Sequence, residues 1–186
     1  MGKYKMVHLG DSSRDDKAFQ YASRFPQIDF YSISKGINES ISQRHARSKG
    51  VGNCAYMEGD FIEGLGKIPD GSVNGVYSNM AVGYYNNGFN SGDYHQRLFE
   101  LVLKKLASGG KFSFSIHEDN AVSNGNGAMN KKIIIEMLKN AGFDGVEARP
   151  FHEAEYGRTY WTDFYGQKGK KAFQISAGKA RPTVQL

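Results

Sequence analysis

Apolar positions along this chain alternate between two rhythms, short strand-like runs and faces repeating every three or four residues, and the alternation continues to the last third. Residues 4–9 read as a first strand that breaks at Gly10-Asp11-Ser12-Ser13 into small polar residues, where a helix should begin. Ala18, Phe19, Ala22 and Phe25 then recur at helical spacing until Pro26 stops the helix. Residues 28–33 form a second strand, residues 39–49 a polar amphipathic helix closed by Gly50, and residues 53–57 a third strand. After Glu58-Gly59-Asp60 comes one short helical stretch, residues 61–65, then the turn Pro69-Asp70-Gly71-Ser72 and a fourth strand, residues 73–78. Tyr94, Leu98, Leu101, Val102 and Leu106 share a helical face that ends at Ser108-Gly109-Gly110, before an alternating strand over residues 111–116. Ile133, Ile134, Met137, Leu138 and Ala141 make a further helical face, capped by Gly142. Residues 143–147 and 173–177 remain as late strands, expected to pair antiparallel.

This order predicts one α/β domain over residues 1–186: a Rossmann-like, doubly wound sheet, mostly parallel with a late antiparallel pair and helices on both faces. Such sheets hold ligands outside the carboxyl ends of their strands. The stretch Lys5-Met6-Val7-His8-Leu9-Gly10-Asp11-Ser12-Ser13 is therefore where function is expected first.

Composition narrows the class without naming a chemistry. At 186 residues, 39% hydrophobic and 13% aromatic, the chain suits one soluble globular core. Its apolar runs fall short of the roughly 20 residues that cross a bilayer, and the first residues lack a signal peptide's apolar block, so a cytoplasmic location is expected. The single cysteine, Cys54, excludes an intramolecular disulfide and a thiolate zinc cage; within a strand it reads as a buried bystander. A formal charge of +5 accommodates a polyanionic partner without requiring one.

Several motifs, taken in order, carry a family resemblance across nearly the whole chain. Glu58-Gly59-Asp60-Phe61 after strand three, Pro69-Asp70-Gly71-Ser72-Val73-Asn74-Gly75-Val76-Tyr77-Ser78-Asn79 through strand four, Leu103-Lys104-Lys105-Leu106-Ala107-Ser108-Gly109-Gly110-Lys111-Phe112 before strand five, and Asn140-Ala141-Gly142-Phe143 before strand six together resemble a class I S-adenosylmethionine-dependent methyltransferase. Within that class, Tyr21-Ala22-Ser23-Arg24-Phe25-Pro26-Gln27-Ile28-Asp29-Phe30, Asn53 leading into Gly59-Asp60, and Thr162-Asp163-Phe164 followed by Gly169 look like the tRNA guanine-N7 methyltransferase family. Where that family has a proline-rich acidic signature after strand four, this chain has Asn79-Met80-Ala81-Val82-Gly83-Tyr84-Tyr85, closer to small-molecule methyltransferases.

The resemblance implies S-adenosylmethionine as cofactor, held by Leu9, Gly10, Asp11 and Ser12 after strand one, Ser34 and Lys35 after strand two, Asp60 and Phe61 after strand three, and Ser78 and Asn79 at the end of strand four. The family's glycine-rich loop is reduced here to Gly10, and Asp11, Ser12 and Ser13 equally suit the cap of the following helix. Ser34 stands where the family carries the acid that binds the ribose. Losing that charge-assisted pair costs about 1.5–3 kcal/mol, a factor of roughly ten or more in affinity. Lys35 beside it favours an anionic ligand or serves as a solvated surface lysine. Asp60 is expected to accept from the adenine amino group while Phe61 packs on the ring; Asp60 can also cap the next helix.

On the acceptor side, Met80, Tyr84, Tyr85 and His117 are candidates for contact, with Tyr84 and Tyr85 able to stack on a base or pack under a loop. Glu118 and Asp119 are the catalytic candidates, to take a proton or hold a guanine edge, with a solvated polar loop as their other role. Tyr156 and Arg158 lie in an aromatic and charged stretch, residues 151–165, that reads as a binding loop, and Lys168, Lys170, Lys171, Lys179 and Arg181 follow it. A metal is not expected from His117-Glu118-Asp119, because sequence neighbours rarely converge on one ion. The functional expectation is methyl transfer to an RNA base, tRNA guanine first, or to a small molecule, by a monomer or homodimer away from membranes. The alternative is a methyltransferase-fold binding or scaffold subunit with a degenerate cofactor site.

Overall fold

A computed structural model describes residues 3–11, 16–79, 81–84, 92–117, 131–152 and 160–169. Its elements are β1 (Tyr4–Leu9), α1 (Lys17–Arg24), β2 (Ile28–Ser34), α2 (Glu39–Ser48), β3 (Cys54–Glu58), α3 (Phe61–Gly66), β4 (Val73–Asn79), α4 (Ala81–Tyr84), α5 (Gly92–Lys105), β5 (Leu106–His117), α6 (Lys131–Asn140), β6 (Asp144–His152) and β7 (Tyr160–Gln167). The strands join into one seven-stranded sheet in the order β3-β2-β1-β4-β5-β7-β6. Strands β1 to β5 run parallel, and β7 runs antiparallel between β5 and β6.

Alternation within each strand sends side chains to two different cores. Val7 and Leu9 of β1, Val76 of β4, and Phe112 and Phe114 of β5 join Leu65, Leu98, Phe99, Val102 and Leu138 from α3, α5 and α6. The opposite face of β1 and β2, with Met6 and Phe30, packs under Ala18 and Ala22 of α1 and Ala46 of α2. Aromatic stacking ties the larger core together, with Phe99 and Phe114 rings 5.5 Å apart and Phe112 and Phe114 5.0 Å apart.

Two expectations are corrected. Strand β5 begins at Leu106, not residue 111: Leu106 pairs with Val73, the register then shifts, and Gly75 pairs with Lys111. The residues between form a bulge within the strand, with Gly109 at φ +77°. Residues 160–165, expected in a binding loop, are strand; residues 173–177, expected as the partner of the sixth strand, lie outside the described residues. Tyr160-Trp161-Thr162-Asp163-Phe164-Tyr165 is rich in strand-favouring aromatics, and insertion between β5 and β6 satisfies its backbone on both sides. The short helix α4 was not anticipated.

Cys54 is buried and free, in agreement with its reading as a bystander. Among the described residues, no helix is long and apolar enough to cross a membrane.

Candidate functional site

The sheet order places β1 between β2 and β4, so the connections leaving the carboxyl ends of β1 and β4 diverge to opposite faces. Gly10 forms the turn at this point. Its φ of +101° suits glycine, and a Cβ built on it would collide with Ala81 of α4. Its N–H donates to the Ile33 carbonyl at 2.9 Å, which ties the turn to the end of β2. From the other side, the Ser78 hydroxyl donates to the Leu9 carbonyl at 2.8 Å and locks the ends of β1 and β4 together. Phe61 lies fully buried beneath this junction, 3.7 Å from where a Gly10 Cβ would stand.

Asp11 is wholly enclosed and multiply bonded. Its carboxylate accepts from the backbone N–H of Lys17 at 2.8 Å and of Ala18 at 3.2 Å, and from the Ser32 hydroxyl at 2.7 Å. Oδ1 lies 2.6 Å from His8 Nδ1. Burial alone would raise the Asp11 pKa, but His8, Ser32 and the Lys17 N–H together hold it below the ordinary value. The next acid shows the opposite balance. Asp16 caps α1 by accepting from Phe19 N–H and receives the Tyr56 hydroxyl at 2.7 Å, yet burial raises its pKa.

At the end of β2, the buried Ser34 hydroxyl accepts from Gly36 N–H at 3.1 Å and its carbonyl accepts from Gly59 N–H at 3.1 Å. Lys35 Nζ lies 3.3 Å from Asp60 Oδ2. Asp60 caps α3 by accepting from Ile62 N–H at 2.9 Å, and the Tyr94 hydroxyl sits 3.1 and 3.0 Å from its two oxygens. With its side chain 23% exposed, Asp60 still presents a carboxylate edge outward.

The structure thus gathers Leu9, Gly10, Asp11, Ser34, Lys35, Asp60, Phe61 and Ser78 at one carboxyl edge, with Asn79 as the last residue of β4. Three of them are engaged within the protein itself. Phe61 has no exposed surface to lay against an adenine ring, the Asp11 carboxylate is spent on α1 and His8, and the Ser78 hydroxyl is spent on Leu9. Each belongs to the frame of the site because its polar atom or ring face is already engaged. Tyr84 ends α4 and His117 ends β5. Ser12, Met80, Tyr85, Glu118, Asp119, Tyr156 and Arg158 lie outside the described residues. Among the described residues, no group of three His, Cys, Asp or Glu side chains is arranged to hold a metal.

Sequence reasoning assigned no role to Tyr94 beyond a helix face, or to His8 and Tyr77. His8 and Tyr77 are register partners on β1 and β4, and their rings stack at 4.3 Å. With Lys17, Tyr21, Ser113 and Tyr165 they line a cavity of about 210 Å³ on the α1 side of the sheet. The signal for His8 was its place among the apolar Met6, Val7 and Leu9 at the end of the strand.

No protein-family model and no curated protein matches the sequence. Solved structures do match the fold. Phosphoethanolamine N-methyltransferase 2 of Haemonchus contortus, in complex with S-adenosyl-L-methionine, superposes with a TM-score of 0.70 at 14% identity, covering 90% of this chain and 49% of that one. The arsenic(III) S-adenosylmethionine methyltransferase of Chlamydomonas reinhardtii gives 0.62 at 19% identity, covering 92% and 65%. The [4+2]-cyclase SpnF gives 0.68 at 12% identity, covering 91% and 76%. The chain spans about half the length of the Haemonchus enzyme it matches. The fold is that of the class I S-adenosylmethionine-dependent methyltransferases.

Proposed function

We propose that this protein is an S-adenosylmethionine-dependent methyltransferase whose cofactor lies across the carboxyl ends of β1, β2 and β3. The observation that supports this most directly is the Gly10 turn at the switch point, set beside an outward carboxylate at Asp60. An adenine amino group needs an acceptor, and Asp60 offers one. The methionine part needs close backbone approach, and the Gly10 turn brings backbone to the switch point, with Ala81 of α4 filling the space beside its α-carbon. At the ribose the fit is weaker: Ser34 is occupied with Gly36, and Lys35 reaches across to Asp60, so this chain must hold the ribose without a carboxylate at the end of β2. When bound, the cofactor would supply an electrophilic methyl group. The protein's own contribution is to align an acceptor and to exclude water, which provides most of the rate in such displacements.

The acceptor expected from sequence, an RNA base or else a small molecule, stays part of this proposal, as do Glu118 and Asp119 as proton acceptors and a monomeric or dimeric, cytoplasmic protein. A second reading, a binding subunit with a degenerate cofactor site, is favoured by one observation: the Lys35 to Asp60 ion pair lies where the ribose and adenine would be held. Isothermal titration with S-adenosylmethionine and S-adenosylhomocysteine separates the two. Micromolar binding, tighter for the homocysteine product, is expected of the enzyme; no heat at near-millimolar ligand would leave the binding-subunit reading. With binding established, methyl transfer to tRNA and to a panel of small acceptors decides between the acceptor classes.

A further inference from the structure

The cavity on the α1 side of the sheet contains two polar groups that the fold leaves unsatisfied. Among the described residues, the 1%-exposed His8 has no hydrogen-bond partner at Nε2, while its Nδ1 is in close ion-pair contact with Asp11 Oδ1 at 2.6 Å outside strict hydrogen-bond alignment; the Tyr77 hydroxyl, on the ring stacked against it, is also buried without a partner. Such orphans are rare in folded proteins, since each carries an uncompensated desolvation cost.

The chemistry of the pair follows from Asp11. With its pKa held below the ordinary value, Asp11 is a carboxylate at neutral pH, and a carboxylate 2.6 Å from His8 Nδ1 requires the proton to sit on that nitrogen. That leaves Nε2 as the ring position turned to the cavity, able to accept a hydrogen bond and take up a proton. The Tyr77 hydroxyl beside it is a donor. One group that complements both is a hydroxyl, which donates to Nε2 and accepts from Tyr77. The remaining walls narrow the choice. Tyr21 and Tyr165 make the lining aromatic, Ser113 adds a hydroxyl, and Lys17 brings positive charge. An imidazole removes a proton effectively only from an acid of comparable strength, which a phenol approaches and an alcohol does not.

We propose that this cavity binds a small aromatic molecule through a phenolic hydroxyl, with His8 as its general base and Asp11 as the residue that positions His8. The O–H bond of the ligand breaks, its proton passes to His8 Nε2, and the electron pair stays on oxygen as a phenolate. The imidazolium formed is paired with the Asp11 carboxylate, and the phenolate is held by the Tyr77 hydroxyl and the charge of Lys17. The cavity includes Ser78, which also braces the Gly10 turn, so a phenolate formed there lies beside the proposed cofactor edge. Its assignment as the methyl acceptor rests on the methyltransferase reading; its binding and deprotonation do not.

The test uses 4-nitrophenol as probe with the purified protein, below the pH at which the free phenol ionises. Saturable binding with growth of the phenolate absorption band is expected. His8→Gln should remove the band and weaken binding about tenfold, as expected for loss of one hydrogen bond to a charged group. Tyr77→Phe, which keeps the ring, should weaken binding several-fold, and it decides the matter if His8→Gln fails to fold. Cyclohexanol, with a ring but no acidic hydroxyl, should bind at least roughly tenfold more weakly. No saturable binding, unchanged binding in both variants, or equal binding of cyclohexanol overturns the proposal. Titration of the same preparation with S-adenosylhomocysteine is read separately. Phenol binding without homocysteine binding keeps the site and removes the methyltransferase reading, whereas the reverse keeps that reading and removes the site.

Discussion

Lys35 Nζ stands 3.3 Å from Asp60 Oδ2, so the residue that follows β2 closes over the residue that opens α3. An ion pair this exposed contributes little to stability, about 0–1 kcal/mol, but it occupies the Asp60 carboxylate. Replacing the lysine by methionine is expected to leave thermal unfolding nearly unchanged and to raise S-adenosylhomocysteine affinity by a factor of about two to five. Calorimetric titration of Lys35→Met against the parent protein measures this. Weaker binding would mean that Lys35 holds the ligand instead of competing with it.

Gly10 carries both a positive φ and a backbone contact that admits no Cβ. Gly10→Ala should therefore lose about 1–3 kcal/mol from backbone strain, with a further loss from the collision with Ala81. Urea unfolding reads the stability, and the same variant should bind S-adenosylhomocysteine poorly, because the turn must shift away from α4. An unchanged urea midpoint would show that α4 moves freely.

Asp11 and Asp16 make opposite contributions to acid stability. The folded-state pKa of Asp11 lies below its ordinary value of 3.8, so on acidification the unfolded chain takes up the proton first. Its stabilisation is present in full above the unfolded pKa and is lost as pH falls through the folded pKa. Asp16 is raised, so the folded state is protonated first and ionised Asp16 carries a penalty at neutral pH. Unfolding free energies measured from neutral pH down to about pH 3 should fall steeply at the acid end for the parent protein. Asp11→Asn should be less stable at neutral pH and flatten that fall. Asp16→Asn, which still caps α1, should be neutral or slightly stabilising at pH 7.

Cys54 sits in β3 at 2% exposure, and burial pushes its thiol up to about 12. A thiol of that kind is protonated and shielded at neutral pH. Labelling with iodoacetamide should be negligible in the native protein and complete in urea, as read by mass spectrometry. Rapid labelling of the native state would place Cys54 in a segment that opens readily.

Much of the fold was legible because the relevant signals are local. The period of Ala18, Phe19 and Ala22, the glycine after α2, and the Pro69-Asp70-Gly71-Ser72 turn each act within a few residues, and the elements they delimit appear at their expected places. β7 was missed for the opposite reason. Its aromatics and charges describe an exposed loop as well as a strand, and only its pairing with β5 and β6, each distant in sequence, removes the ambiguity. At the site, sequence reading found the carboxyl edge but not the division of labour within it. Asp11 and Ser78 were expected to face a ligand, whereas their hydrogen bonds run to α1, Ser32 and the Leu9 carbonyl.

The sequence by itself determined the alternation of strands and helices, the Gly10 turn after the first strand and the cap of α3 at Asp60, since these depend on backbone propensity and nearest neighbours. Tertiary structure decided which polar groups are spent and which are left over. Bringing β1 beside β4 stacks His8 on Tyr77, and folding α1 back onto β1 commits Asp11 to that helix and to His8 Nδ1. Hydrogen-bonding capacity is a property of the assembled neighbourhood, so the orphaned Nε2 and hydroxyl in the cavity exist only once the sheet has closed.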